Sequence, residues 1–399
     1  MTQKFQKIDS FWLYFIPFVL LSVPVLIQVL TDNLPEVNGY YTMHYVLTYD
    51  HGYVGRGLIG EILSWFFDTM TMRTINICNV IFTEILVVVA SLCIGKALNK
   101  SRKNENEFFT VFYLILFLCL AEFTVGTYYT DIKMDKLIWA LTLLSVLVSD
   151  NKVLHFFIPV FAVVSILINP VFCFTGFILV VIVLFDKFQK SSYSFKAGVL
   201  LAATCVLVVF IIGYATIAQT HLGFKDADEF MDFYFARFEG SLSQRLRERF
   251  SDEWLFEYFI ESVPTLLKDT FNTYFIERNS GAETIISTLF LAIPSFGIMS
   301  VFWSRVMKAE EDKFRKFIYF ICLVAYLAFM PALILAWEAA KYYGCYLLVQ
   351  LVLVIYFINQ NDKSVITVVD ELKEKIKAHP MVFASVAGYF ITALMVKSK

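Results

Sequence analysis

The residues best suited to chemistry lie in one stretch, Asp50-His51-Gly52-Tyr53-Val54-Gly55-Arg56-Gly57-Leu58-Ile59-Gly60-Glu61. Asp50 and His51 form the candidate catalytic pair, with Asp50 suited to act as a general base. Arg56 suits a phosphate, whose oxygens a guanidinium meets with paired hydrogen bonds. Gly52, Gly55, Gly57 and Gly60 let the backbone turn sharply or approach a ligand closely. The same residues would also suit a capped turn in which an Asp50–Arg56 ion pair ties the loop down. From Leu58, the apolar residues Leu58, Ile59, Ile62, Leu63, Trp65 and Phe66 recur at helical spacing, which predicts an interfacial helix after the turn.

A second constellation is Asp131-Ile132-Lys133-Met134-Asp135-Lys136. Asp131 and Asp135 share a face if the segment is helical. Lys133 or Lys136 would then contact a lipid-linked phosphate while one aspartate orients it. Acids also favour a helix N-terminus for its dipole alone, so plain capping is the competing account. A third is Trp337-Glu338-Ala339-Ala340-Lys341-Tyr342, where Glu338 and Lys341 stand one helical turn apart. Glu84 and Glu122 interrupt apolar runs, and an acid at membrane depth must be protonated or paired. Arg245, Arg247 and Arg249 read as a solvated helix face. The seven cysteines sit in or beside apolar runs and read as packing residues. Neither they nor the histidines have metal-ligand spacing, so the spacing indicates no metal site, and a divalent metal as cofactor stays open.

The elements that must hold these residues follow from composition. Of 399 residues, 58% are hydrophobic and only 17% charged, against about 25% charged in soluble domains. With a net charge of -2 the chain offers no basic surface to nucleic acid. It reads as an all-α, polytopic membrane protein forming a single transmembrane domain over 1–399. Apolar runs that read as candidate spans, the shorter ones below the roughly 20 residues of a straight crossing, occur at Phe11–Leu30, Ile75–Ile94, Phe108–Val125, Leu137–Val148, Ala197–Ala218, Thr284–Trp303, Phe317–Leu335, Tyr343–Ile358 and Met381–Val396. Val153–Phe185 is too long for one span and breaks at Asn169-Pro170, which predicts two short helices. The total is about eleven spans.

Lysines and arginines set the expected orientation. Clusters at Lys96–Lys103, Lys187–Lys196, Arg305–Lys316 and Lys363–Lys377 all fall on one side if Val153–Phe185 is a hairpin. With that side cytoplasmic, the N-terminus is cytoplasmic too. Residues 31–74 and 219–283 become long outer loops, whose aromatic stretches read as amphipathic helices at the outer interface.

On the residues of the first outer loop, the chain resembles the GT-C superfamily of membrane glycosyltransferases and the related bacterial surface-polysaccharide polymerases. Asp50 to Gly60 is similar to a D-x-G-[FY]-[VI]-x-R-G-L-[IL]-G signature of that group, and Lys133 with Asp135 matches its basic–acidic opening of the fourth span. A late D-W-G-R-W-like stretch corresponds to Glu338-Ala339-Ala340-Lys341-Tyr342, which keeps the charge signs and departs in every letter. The resemblance implies a GT-C-like fold and a transferase at the cell membrane. It would use a polyprenyl-phosphate-linked sugar donor in the outer leaflet and a glycan acceptor. It also implies Asp50 as base, with Arg56, Lys133, Lys136 and Lys341 at the lipid phosphate. A transporter or flippase without chemistry, and an accessory subunit of a polysaccharide-assembly complex, remain the rival readings.

Overall fold

A computed structural model of the chain describes residues 9–31, 39–101, 133–151, 153–189, 194–218, 223–249, 272, 280–335, 339–382 and 384–385. Helix α1, Ser10–Leu30, has no charged residue in its length and starts where Asp9 caps the Phe11 amide at 3.0 Å. Its neighbour α4, Met72–Ser101, runs 30 residues, about 45 Å at 1.5 Å per residue. The two pack so closely that a Cβ on Gly95 would lie 2.1 Å from the Tyr14 ring. Between them come the short helices α2, Gly39–Met43, and α3, Leu58–Ser64. Beyond α3, Trp65 and Phe66 are 70% and 72% exposed, as an interfacial anchor requires.

Helices α5, Asp135–Val148, α6, Ile158–Ile168, α7, Gly176–Gln189, and α8, Ser194–Ala218, form the next group. The expected break between α6 and α7 is present. Asn169 is extended, and its side chain caps the short 3-10 turn Pro170–Phe174 that reverses the chain. The long segment after α8 contains α9, Ala227–Phe235, and α10, Gly240–Arg249. The last group is α11, Ser280–Ala309, α12, Lys313–Val324, α13, Tyr326–Leu335, α14, Ala339–Asn359, and α15, Lys363–Ala378. Asn361, in the left-handed region at φ 53°, turns α14 into α15, and Asp362 caps the new helix at Val365 N.

Among the described residues two large apolar cores result, beside a small cluster of Val89, Ala140 and Leu143. One joins α1 and α4 to α11, α12, α14 and α15 around Trp303, Tyr319 and Phe357. The other joins the segment before α4 to α5–α8 and to α9 and α10. Among the described residues there is no strand, and the sole extended pairing is a bridge between Met70 and Phe238.

The structure bears on three expectations. First, among the described residues only α1, α4 and α8 are long and apolar enough to cross a membrane. The bent pair Gly344–Asn359 and Lys363–Ala378, angled at 113°, would supply a fourth. Helices α5, α6, α7, α12 and α13 have 14, 11, 14, 12 and 10 residues, short of the roughly 20 a straight span needs. Phe108–Val125 lies outside the described residues. Second, α9 is amphipathic, but it spends its apolar face on protein. Phe230, Met231, Tyr234 and Phe235 are buried in the same apolar cluster as Met43, Val46 and Leu47. Third, the basic segment Lys363–Lys377 is a helix, with Val365, Val368 and Val369 buried beneath its lysines.

Candidate functional site

The break in the chain at Asn169 gathers three distant segments. Arg56 Nε donates to Asn169 Oδ1 at 3.3 Å, and Asn169 Nδ2 donates to Asp135 Oδ1 at 3.2 Å. The same Asn169 oxygen accepts from Val171 N at 3.1 Å, so one amide both starts the 3-10 turn and links loop to helix. Arg56 sits at φ 69°, the left-handed region. That conformation costs a non-glycine residue roughly 1–2 kcal/mol. The special backbone expected of this loop is found at Gly52, with φ 114°, and also at the arginine, which Gly55 and Gly57 flank.

Next to Asp135, Lys136 is 0% exposed. Its ammonium donates to Asn79 Oδ1 and, at 3.0 Å, to Thr83 Oγ1, two α4 residues one turn apart on the same face. Lys133 is also buried, with its Nζ 4.8 Å over the Tyr41 ring. Such neighbours are what let an ammonium leave water at tolerable cost. Arg56, Lys133, Lys136 and Asp135 thus converge at one end of α4, α5 and the α6–α7 pair. Glu84, deeper on α4, accepts from Ser22 Oγ at 3.0 Å, the partner expected for an acid at that depth.

The rest of the first loop is fastened to the segment after α8. Asp50 is exposed and accepts from Thr48 Oγ1 at 2.7 Å, while Thr48 O accepts from Tyr234 OH at 3.0 Å. No ion pair joins Asp50 to Arg56, so the loop-tying bridge that the sequence allowed is not what holds this turn. The His51 ring lies between Phe224 and Phe233, at 4.4 and 4.5 Å, and its carbonyl accepts from Gly223 N. Its visible work is docking. Glu61 reaches back to the Tyr49 amide at 2.9 Å. Arg237 Nη1 donates to Val46 O at 2.8 Å, and Met70 exchanges backbone bonds with Arg237 and Glu239. A Cβ at Gly60 would fall 2.1 Å from Leu47 O, so only glycine lets α3 press against this loop.

Tyr49 and Tyr53 stack with centroids 5.7 Å apart, and their hydroxyls are buried without a hydrogen-bond partner among the described residues. Burial, then the neighbouring Tyr214, pushes the Tyr53 phenol up to about 12. Burial likewise pushes Tyr234 up to about 12. These phenols stay protonated, hence donors, at neutral pH.

Asp131, Glu122 and Glu338 lie outside the described residues, and Lys341 is described only as part of the α14 backbone. In α10, Arg247 pairs with Asp232 and stacks 4.9 Å from the Phe235 ring, in keeping with a solvated face. Sequence reasoning missed Asn79, Thr83, Tyr49 and Tyr53 as site-lining groups. Asn79 and Thr83 carried a usable signal, being polar and four apart inside an apolar run.

The opposite ends of the same helices hold a second polar group. Arg315 bridges Asp186 and Asp362, which also accept from Tyr356 OH at 2.7 Å and Tyr319 OH at 2.6 Å. Beside them Asp150 pairs with Lys187 and, at 2.9 Å, with Lys96, and Gln360 donates to it at 2.9 Å. Burial pushes the Asp150 carboxyl up, but the bonds from Lys187 and Lys96 outweigh it and hold the group well below the usual carboxylate range. Lys96, Lys187 and Arg315 come from three of the four basic clusters and Asp362 directly precedes the fourth, so these segments meet at one end of the bundle. Among the described residues no group of three His, Cys, Asp or Glu is placed to hold a metal ion.

No family model matches the chain, and no curated protein or solved structure matches it either.

Proposed function

We propose that the protein is a multi-pass membrane glycosyltransferase or polysaccharide polymerase of GT-C type, with about eleven spans. It takes a polyprenyl-phosphate-linked sugar at the outer leaflet for assembly of a bacterial cell-surface polysaccharide. The observation that carries this is the convergence of Arg56, Lys133 and Lys136 beside Asp135 and Asn169, at the end opposite the basic clusters. By the positive-inside rule that end faces outward. Cations there suit a lipid phosphate at the membrane surface, while the isoprenoid stays in hydrocarbon.

In this reading Asp50, whose carboxylate spends one described bond on Thr48, takes the proton of the acceptor hydroxyl. The hydroxyl oxygen forms a bond to the anomeric carbon, and the bond from that carbon to the donor phosphate breaks. The electron pair leaves on the phosphate oxygen, whose charge Arg56 and the lysines offset. Lys341 and Glu338 complete the donor site in the family pattern.

Purified protein offered a polyprenyl-phosphate sugar and a glycan acceptor should consume the donor and release the lipid phosphate. Asp50→Asn should lower turnover by roughly two to four orders of magnitude with unchanged thermal stability. Arg56→Lys should raise the donor KM, since an ammonium lacks the planar fork. Passage of the intact donor across a liposome bilayer, with no lipid phosphate released, would mean a flippase instead. Normal turnover in a stable Asp50→Asn variant would remove that residue from the mechanism.

A further inference from the structure

A crevice of about 120 Å³ opens between α4, α5 and α14. Its walls are apolar along most of their length, with Val87, Ala90, Leu143 and Val352 among them, and Trp139 lies at its side. Walls of this kind do not hold water, and at the depth of a membrane the surrounding medium is hydrocarbon. One end lies at Thr83, beneath Lys136. The other is polar and is formed by Lys96, Asp150, Asn359 and Gln360, at the basic end of the bundle.

That polar end has unspent bonding capacity of a defined kind. Lys96 Nζ donates to Leu147 O at 3.2 Å and to Asp150 Oδ2 at 2.9 Å. An ammonium has three donors, so one is unspent among the described residues, and the side chain is 35% exposed. Asn359 Oδ1 is buried and has no hydrogen-bond partner among the described residues. Lys96 and Lys187 share the single carboxylate of Asp150, which leaves one positive charge at the mouth. Beyond it Arg315 bonds to both Asp186 and Asp362. A cationic donor beside a buried acceptor, at the end of an apolar slot, matches a headgroup carrying both a phosphate and a hydroxyl.

We propose that this crevice binds one chain of an anionic glycerophospholipid from the leaflet at the basic face, with its phosphate at Lys96 and a headgroup hydroxyl on Asn359 Oδ1. The site lies at the end of the bundle opposite Arg56 and does not depend on the transferase reading. Trp139 reports on it directly. At 1% exposure its ring is shielded from bulk lipid, and it lines the crevice wall, so a brominated chain lodged in the crevice is the quencher that comes nearest to it.

The test reconstitutes the full chain in phosphatidylcholine vesicles carrying equal fractions of chain-brominated phosphatidylglycerol or chain-brominated phosphatidylcholine. Emission from Trp139 is isolated by subtracting the spectrum of Trp139→Phe. Brominated phosphatidylglycerol should remove most of that emission, and brominated phosphatidylcholine should leave most of it. Lys96→Gln should abolish the difference between the two lipids. Ala90→Phe, which fills the slot, should abolish quenching by both, and free glycerol phosphate should not compete with the lipid. Equal quenching by both lipids in the unmodified protein would overturn the headgroup assignment. No quenching by either would overturn occupancy of the crevice, and neither result needs Ala90→Phe to fold.

Discussion

Asn169→Asp separates the three jobs that the structure gives to one amide. Aspartate caps a turn as well as asparagine does, and its Oδ1 still accepts from Val171 N and Arg56 Nε. What is lost is the Nδ2 donor to Asp135, replaced by a carboxylate facing a buried carboxylate at the 3.2 Å now spanned by a hydrogen bond. A hydrogen bond to a charged group contributes about 1.5–3 kcal/mol, so this variant should lose at least about 1.5 kcal/mol. Asn169→Ala should lose about 4 kcal/mol, from about 1 for the cap and about 1.5 for each bond to Arg56 and Asp135. At roughly 2 °C per kcal/mol for a large chain, that lowers Tm by roughly 8 °C. The six described cysteines are free, so a thiol-reactive dye in detergent reads the unfolding. Combining Asn169→Asp with Asp135→Asn exchanges donor and acceptor and should recover most of the loss. The reasoning fails if Asn169→Asp melts with the unmodified protein, or if the paired change is no better than the worse single one.

At the other end, Arg315→Ala should cost about 3–5 kcal/mol, because it removes the guanidinium that bonds the fully buried Asp186 carboxylate; a Tm within error of the unmodified protein would contradict this. Asp150 has a depressed folded pKa, so its contribution is complete above the unfolded value of about 3.9 and is lost as pH falls through the lower folded value. The Tm gap between the unmodified protein and Asp150→Asn should therefore be equal at pH 8 and pH 5 and close only in strong acid. Gly60→Ala should lower Tm by several degrees, since the added methyl meets Leu47 O at 2.1 Å; a neutral result would show that α3 can move away from the loop freely.

The break at Asn169-Pro170, the helix beginning at Leu58 and the gathering of basic clusters at one end were legible because each rests on local rules. Proline ends a hydrogen-bond ladder, apolar periodicity marks a helix, and short basic loops share a side. The partner of Arg56 was not legible. It lies 113 residues away, and nothing in the spacing of Asp50 and Arg56 distinguishes a pair from two separate roles. The fate of α9 was hidden for a related reason. An amphipathic pattern states that a face is buried, but not whether lipid or another loop buries it. At Phe317–Leu335 hydropathy adds apolar residues across a helix end, and the chain divides there into α12 and α13 at Ala325.

Asp362 has a consequence for the order of assembly. One of its oxygens starts α15, and the other closes the Arg315 bridge. As the chain is synthesised, Asp186 emerges long before Arg315, so their pair is complete while Asp362 is still 47 residues away. Until it arrives, Arg315 lacks its second carboxylate, Tyr319 has not made its bond to that acid, and the surface helix has no cap. Closure of the bundle's basic end is therefore a late event that fastens the last groups of helices together. A nascent chain halted at Asn359 would hold every span through α14 and still expose an unfinished ionic knot, the kind of surface that quality-control proteases and chaperones engage.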